Sequence, residues 1–211
     1  MSRRTGVGLS RERVLQAGLR LVDRDGVDAL TMRRLGKDLG VEAMSLYGYV
    51  ANKQDLLEGV LARVYAEMPR TGAAPGPWEQ RLRRIAQQFR QVLLRHPNVV
   101  GLVAARPVTS EGGLHLVESA LAELREAGLD LVSANQALNV AVGFTVGHVA
   151  NQVGHLESAS SRPEADELDR ERFPNVTERA ALSVDHDAEF DLGLDVIVAG
   201  VSRLVDVMPS V

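Results

Sequence analysis

The sequence predicts an all-α protein, and two observations support that fold class. No region shows sustained alternation of apolar and polar residues, which is the pattern of a half-buried strand. Apolar residues instead recur every three or four positions through most of the 211 residues, as they do on one face of a helix. The chain contains no cysteine, so disulfides, cysteine-ligated zinc and thiol catalysis are excluded.

Hydropathy and charge narrow the class of protein. The chain has no long apolar run and no leader-like start, so we expect a soluble cytoplasmic protein with no membrane span. The formal net charge is −4, but residues 1–65 carry 11 Lys and Arg against 8 Asp and Glu, and the rest carry 13 against 20. This asymmetry suits an N-terminal segment that faces an anionic partner, although ordinary solvated surfaces also differ by this much.

The first 65 residues are predicted to form a basic arm, 1–9, followed by short helices that make one compact module. The spacing of apolar residues, the capping residues and the glycines define each helix. The predicted spans are 11–24 after the N-cap Ser10, a second helix from Thr31 to Gly40, a third over 42–49, and a fourth opened by Asn52 and Asp55 in a capping box.

The segment 31–50 has the anatomy of a helix-turn-helix, in which two short helices cross after a glycine. In that geometry the second helix enters the major groove of DNA and the first lies across the backbone. Leu46 and Val50 are predicted to face inward with the other apolar residues of the pair. The pattern favours a DNA-binding module, although short helices joined at a glycine also occur in other all-α folds.

The side chains predicted to face outward have chemistry that suits DNA. Ser45 can hydrogen-bond a phosphate or a base edge, and the hydroxyls of Tyr47 and Tyr49 suit phosphate oxygens. Lys53 opens the next helix, where its ammonium and the free N–H groups can hold the same backbone. Arg33 lies on the supporting helix. Aromatic residues are only 4% of the chain, so two tyrosines flanking a glycine stand out. Such a tripeptide alone is more often a loop or a packed corner, but its place in this helix-turn-helix favours a contact surface.

The remainder of the chain reads as a second, larger helical unit after a linker. The stretch 69–77 contains three prolines and two glycines and is a linker by composition. The sequence predicts long helices over 78–95, 114–127, 134–156 and 188–207, with a long acidic loop at 157–187 that holds at most short helical pieces.

The stretch GVDALTMRRLGKDLGV followed by SLYGYVANKQDLL resembles the N-terminal domain of the tetracycline-repressor (TetR) family of bacterial regulators. The pattern Leu-Tyr-x-x-Val-x-x-Lys-x-x-Leu-Leu at 46–57 is among the family's most specific signatures. Segments 105–113, 123–149 and 188–201 resemble the ligand-binding domain of the tetracycline-repressor branch.

The resemblance implies a two-domain, homodimeric transcriptional repressor, with a helix-turn-helix DNA-binding domain at 1–66 and a helical effector-binding and dimerisation domain at 67–211. Its partners would be a double-stranded palindromic DNA operator and a small-molecule effector that releases the protein from it. When the family's DNA-contacting positions are matched to this sequence one by one, the resemblance implies that the residues in contact with DNA are Arg33, Ser45, Tyr47, Tyr49 and Lys53.

Candidate effector-binding residues are polar or aromatic side chains within apolar helices, placed in the pocket by the resemblance. They are Phe89, Arg106, Asn139, Phe144, His148 and Gln152. The sequence departs from the tetracycline-binding branch, because apolar GLVAA replaces a metal-ligating histidine and a threonine before Arg106-Pro107. The stretch NQVG at 151–154 also lacks the carboxylate of that branch, so the sequence argues against a magnesium–tetracycline effector.

Two other classes of function remain open at this stage. A small helical enzyme could use His148 and His155, seven residues apart on one helix face, but no third ligand with metal-site spacing accompanies them. A pocket or dimer-surface role is favoured for these histidines. A ligand-sequestering or adaptor protein with a silent helix-turn-helix is the other alternative. We expect no enzyme activity, no metal and no cofactor, because no phosphate-binding loop, nucleophile elbow or HExxH motif occurs.

Overall fold

The computed structural model of the protein describes residues 8–69, 75–157, 169–180 and 182–207. These ranges form ten α-helices and no strand, which confirms the predicted fold class. The helices are α1 Arg11–Asp25, α2 Met32–Leu39, α3 Ala43–Leu46, α4 Lys53–Ala66, α5 Trp78–Arg95, α6 Val100–Ala105, α7 Glu111–Glu126, α8 Leu131–Glu157, α9 Pro174–Ala180 and α10 His186–Val207. Most of the predicted arm (residues 1–7) and part of the predicted linker (residues 70–74) lie outside the described residues.

Helices α1 to α4 enclose a core of aliphatic side chains, with α1 packed on α4 and α2 on α3. The predicted inward residues Leu46 and Val50 are buried in it. The predicted caps also form: the Arg13 N–H donates to Ser10 Oγ (3.2 Å), and the Asp55 N–H donates to Asn52 Oδ1 (2.9 Å). Each cap satisfies one N–H group that the first turn of a helix leaves unbonded.

The core of the N-terminal helices continues into the second unit without a break. Phe89 and Val92 of α5, Leu102 of α6 and Val149 of α8 belong to the same cluster of buried residues as the side chains of α1 and α4. A rearrangement of α5, α6 or α8 therefore reaches the N-terminal helices through direct apolar contact.

Helix α8 is the centre of the second unit, and α5, α6, α7 and α10 pack around it. Its 27 residues extend over about 40 Å. Far from the N-terminal helices, Leu82, Leu124 and Leu138 form a separate core with Val201 of α10. No helix in the described ranges is long and apolar enough to cross a membrane.

Helices α3 and α7 begin or end at residues other than those predicted, because a capping side chain or the turn around a glycine sets the helix end. Helix α3 ends at Leu46 rather than at 49, because the N–H groups of Tyr47 and Tyr49 bond three residues back and tighten the chain around Gly48. Helix α7 begins three residues earlier than predicted, at Glu111, because Ser110 Oγ accepts from the Gly113 N–H (3.2 Å).

Between residues 96 and 105, where the sequence analysis assigned no helix, a 3₁₀ turn, Pro97–Val99, leads into α6. The predicted loop at 157–187 contains α9, and α10 starts two residues before the predicted position. Residues 158–168 and 181 of that loop lie outside the described residues.

Candidate nucleic-acid interface and ligand cavity

Two glycines fix the crossing of α2 and α3. Gly40 ends α2 in the left-handed conformation (φ 70°), which costs a glycine little. Gly36 lies inside α2, where an added Cβ would come within 2.9 Å of the Val41 carbonyl oxygen and 3.2 Å of the Ala43 backbone. Sequence reasoning missed Gly36, and its signal was a glycine inside a helix where alanine is the better helix former.

We call Arg33, Ser45, Tyr47, Tyr49 and Lys53 the recognition surface. Four of these side chains are exposed, Tyr47 at 47%, and only Tyr49 is partly buried against the core. The neighbouring Met44 is 76% exposed, which is unusual for a large apolar side chain. The surface therefore presents hydroxyl, aromatic and cationic groups that the core of the fold does not use.

Gly48 lies in the middle of this surface and is surrounded by open space. A Cβ added there would meet only the Ser45 carbonyl oxygen, at an ordinary 3.6 Å. The residue is therefore not required by packing.

The two arginines of α2 have different roles. The Arg34 guanidinium forms an ion pair with Asp25 (2.7 Å) at the end of α1. Arg33 has no ion pair or hydrogen bond with any described residue, so its charge remains available to a ligand outside the fold.

Arg11 of α1 holds the turn that follows the recognition tyrosines. Its guanidinium donates to the Tyr49 carbonyl oxygen (2.7 Å) and bonds both carboxylate oxygens of Asp55 (2.6 and 3.0 Å). Asp55 also accepts from the Ala51 N–H (2.8 Å). The hydrogen bonds from Arg11 lower the pKa of the Asp55 carboxyl, so the pair is ionised at neutral pH. This arrangement orients Tyr49 and Lys53 relative to α1.

A cavity of about 280 Å³ lies in the second unit, between α4, α5, α6, α7 and α8. Its wall is almost entirely apolar. The residues that line it are Tyr65, Met68, Ile85, Ala86, Phe89, Val103, Arg106, Pro107, Val108, Gly113, Leu116, Val117, Ala120, Leu138, Ala141, Val142 and Thr145. Phe89 and Arg106 are thus the two predicted pocket residues that line this cavity.

The other four predicted pocket residues lie elsewhere on α8. Asn139 and Phe144 line an open groove between α8 and α10. Gln152 accepts a hydrogen bond from Arg90 (3.0 Å), and His148 Nε2 lies 3.0 Å from the His186 carbonyl oxygen. The cavity instead receives the face of α8 that carries Leu138, Ala141, Val142 and Thr145, spaced at helical intervals.

His148 belongs to a packed aromatic cluster between α8 and α10. Its ring packs against Phe144 and Phe190, and Arg90 lies over the Phe190 ring at 4.8 Å. Burial and the nearby Arg90 charge lower the pKa of His148. Within the described ranges no group of three or more His, Asp or Glu is placed to hold a metal ion. The side chain of His155 lies outside the described residues.

The groove between α8 and α10 exposes apolar side chains. Val140 of α8 and Leu192 and Val196 of α10 are between 52% and 65% exposed. Gly193 allows the Phe144 ring to pack on α10, since an added Cβ would overlap that ring. An apolar helix face of this kind is typical of a subunit interface.

His96 connects the end of α5 to two N-terminal helices. It follows α5 directly as the C-cap residue of that helix. Its Nδ1 lies 2.9 Å from Asp23 of α1 and its Nε2 lies 3.0 Å from Glu67 at the end of α4. Asn98 adds two bonds by donating to the Val22 and Asp23 carbonyl oxygens. The carboxylate partners are distant in sequence, so periodicity could not reveal this junction.

Comparison with known proteins matches nearly the whole chain. Residues 14–60 match the family described as "Bacterial regulatory proteins, tetR family", and residues 61–205 match "Tetracyclin repressor-like, C-terminal domain". The chain is 31% identical to the tetracycline repressor protein class D of Escherichia coli over 201 residues, covering 91% of this chain and 88% of the relative. It is 32% identical to the class A repressor of transposon 1721, also from Escherichia coli, over 90% of this chain and 89% of the relative.

Solved structures show the same architecture. ActR from Streptomyces coelicolor in complex with actinorhodin has a TM-score of 0.80 at 28% identity, covering 93% of this chain and 96% of that one. Apo ActR has a TM-score of 0.78 at 28% identity over the same shares of both chains. These matches cover nearly the whole chain. They indicate the same family as the helix-turn-helix and the helical second unit do. The chain belongs to the tetR family of ligand-responsive, DNA-binding transcriptional repressors.

Proposed function

We propose that this protein is a homodimeric repressor whose recognition surface binds a palindromic operator and whose cavity binds the effector that releases it. The DNA-binding domain would be 1–66 and the effector-binding and dimerisation domain 67–211. The protein would act in the cytoplasm by binding alone, with no reaction catalysed.

One observation carries the proposed link between the two sites. Helix α4 has Lys53 of the recognition surface as its first residue, and Tyr65, one residue before its end, lines the cavity. The helix has 14 residues and is about 20 Å long, so a shift imposed at the cavity end displaces the DNA end directly. An effector that favours the shifted position would release the operator through its differential affinity for the two states.

The proposed dimer would use the groove between α8 and α10. Burial of Val196 and Leu192 against the same face of a second copy would remove apolar surface from water. Two recognition surfaces would then be held at a fixed separation, as a palindromic operator requires.

The DNA-binding role is tested by selecting bound DNA from a random pool and titrating the selected site by fluorescence anisotropy at several salt concentrations. We expect a palindrome and a steep loss of affinity with salt. Lys53→Ala should lower operator affinity about tenfold and make the salt dependence shallower, because one phosphate contact is lost.

Arg125→Ala is the matched control, since it removes an exposed positive charge from α7 in the second unit. It should leave operator affinity unchanged. Equal effects of the two substitutions, or no effect of Lys53→Ala in a folded protein, would refute the assignment of Lys53.

A further inference from the structure

The cavity wall offers a ligand very few polar groups. Among its lining residues only Arg106 carries a charge, and only Tyr65 and Thr145 carry hydroxyls. The Thr145 hydroxyl is fully buried and donates to the Ala141 carbonyl oxygen (2.7 Å), so it is already satisfied within α8. Two groups remain that could recognise the polar end of a ligand.

The Tyr65 hydroxyl is a hydrogen-bond donor without a partner. The residue is only 6% exposed, and its hydroxyl bonds no described residue. Burial raises the pKa of the Tyr65 phenol, so the group keeps its proton and remains a donor. An unpaired hydroxyl on the wall of an apolar cavity can donate to an acceptor group of a bound ligand.

Arg106 is the second unpaired donor. Its guanidinium forms no ion pair or hydrogen bond in the described part of the chain. Glu58 lies near it, on the wall of a small cleft that Arg106 and Tyr65 also line. The Glu58 carboxylate accepts from Gln54 (2.9 Å) and forms no ion pair with Arg106. A planar guanidinium with free N–H groups binds carboxylates and similar anions through paired hydrogen bonds.

We propose that the effector is an apolar organic acid, held with its anionic group at Tyr65 and Arg106 and its body against Phe89, Leu138 and Val142. The inference rests on the proposed function, since it assumes that this cavity is the effector site. A neutral apolar ligand would leave both donors unpaired, which costs affinity. A strongly hydrophilic anion would gain nothing from the apolar wall.

The test compares two fluorescent probes that share one aromatic skeleton and differ in charge. 8-Anilinonaphthalene-1-sulfonate carries an anionic group, and N-phenyl-1-naphthylamine is the same ring system without it. With the full-length protein we expect Arg106→Gln to weaken binding of the sulfonate about tenfold or more and to leave the affinity of the neutral probe unchanged. Tyr65→Phe should weaken binding of the sulfonate by a smaller factor.

Two variants make the result specific. Arg106→Lys keeps the positive charge and should retain most of the preference for the anionic probe, whereas a loss caused by misfolding would affect both probes. Arg125→Gln makes the same change at an exposed arginine of α7 that lies outside both the cavity wall and the recognition surface, and it should leave both affinities unchanged. The inference would be overturned if Arg106→Gln bound both probes with the affinity of the wild type, or if its affinity for both probes fell equally.

Operator titrations of the same variants without a probe separate the two proposals. If the preference for the anion is absent while operator binding is intact, the ligand class is wrong and the repressor assignment stands. If the preference is present but no operator binds, the repressor assignment fails and the cavity chemistry stands.

Discussion

The recognition surface and the cavity use their side chains in opposite ways. At the recognition surface, Ser45 and Tyr47 point into solvent, and the buried Leu46 between them holds the fold. At the cavity, Phe89 and Leu138 both line the open space and pack the core. We therefore expect substitutions on the recognition surface to leave the stability of the fold unchanged, whereas substitutions at the cavity should change its shape and the stability of the fold together.

A comparison of two single variants, Leu46→Ala and Tyr47→Ala, is the sharpest test of this contrast. Leu46 is fully buried, so its truncation should cost about 3 kcal/mol of unfolding free energy and weaken operator binding through loss of structure. Tyr47→Ala should reduce operator affinity with less than about 0.5 kcal/mol change in stability. Urea unfolding followed by tryptophan fluorescence, with operator titrations, measures both. A loss of stability of similar size in the two variants would break the contrast.

Phe89→Ala tests the coupling at the cavity. The residue is buried and also faces the open space, so fewer neighbours lose contacts than at a closed site. We expect about 2–3 kcal/mol of destabilisation and weaker binding of both naphthyl probes, measured by urea unfolding and fluorescence titration. Altered probe binding at unchanged stability would show that the cavity and the core are independent.

The smallest expected effect concerns pH and the Arg11–Asp55 pair. The folded state lowers the pKa of Asp55, so the pair stabilises the fold above the unfolded carboxyl pKa of about 3.9 and loses that effect as pH falls through the lower folded value. Asp55→Asn should therefore cost roughly 1 kcal/mol or less at pH 7, because the pair is partly exposed, and less than that at about pH 3, where the unfolded carboxyl is already largely protonated.

Unfolding free energies of the wild type and Asp55→Asn at both pH values check this prediction. In an Arg11→Gln background the difference between Asp55 and Asn should depend on pH much less, because only the Ala51 N–H bond then lowers the pKa of Asp55. An undiminished dependence there would assign the main pKa shift to groups other than Arg11.

The N-terminal helices were predicted well because local signals determine them. Ser10, Thr31 and Asn52 accept the capping hydrogen bonds that the sequence indicates, and Gly40 adopts the expected left-handed turn. These features depend on residues a few positions apart, which a single sequence displays directly.

The cavity could not be predicted in the same way. Asn139 and Phe144 were predicted as pocket residues because polar and aromatic side chains stand out in apolar helices. In the structure the cavity is lined by the opposite set of α8 side chains, which includes Leu138 and Ala141. Helix α8 is largely apolar, so periodicity does not tell which face meets a cavity and which meets α10. Tyr65 was missed because its role depends on α4 ending at the cavity wall.

The empty space around Gly48 has a consequence for the evolution of this regulator. Because an added Cβ at that backbone position would meet only the Ser45 carbonyl oxygen, at 3.6 Å, a single codon change can place a small side chain in the middle of the recognition surface. The helix-turn-helix would not have to adapt to it. A duplicated copy of this protein could acquire a different operator in one step, while its core and effector site remained as they are.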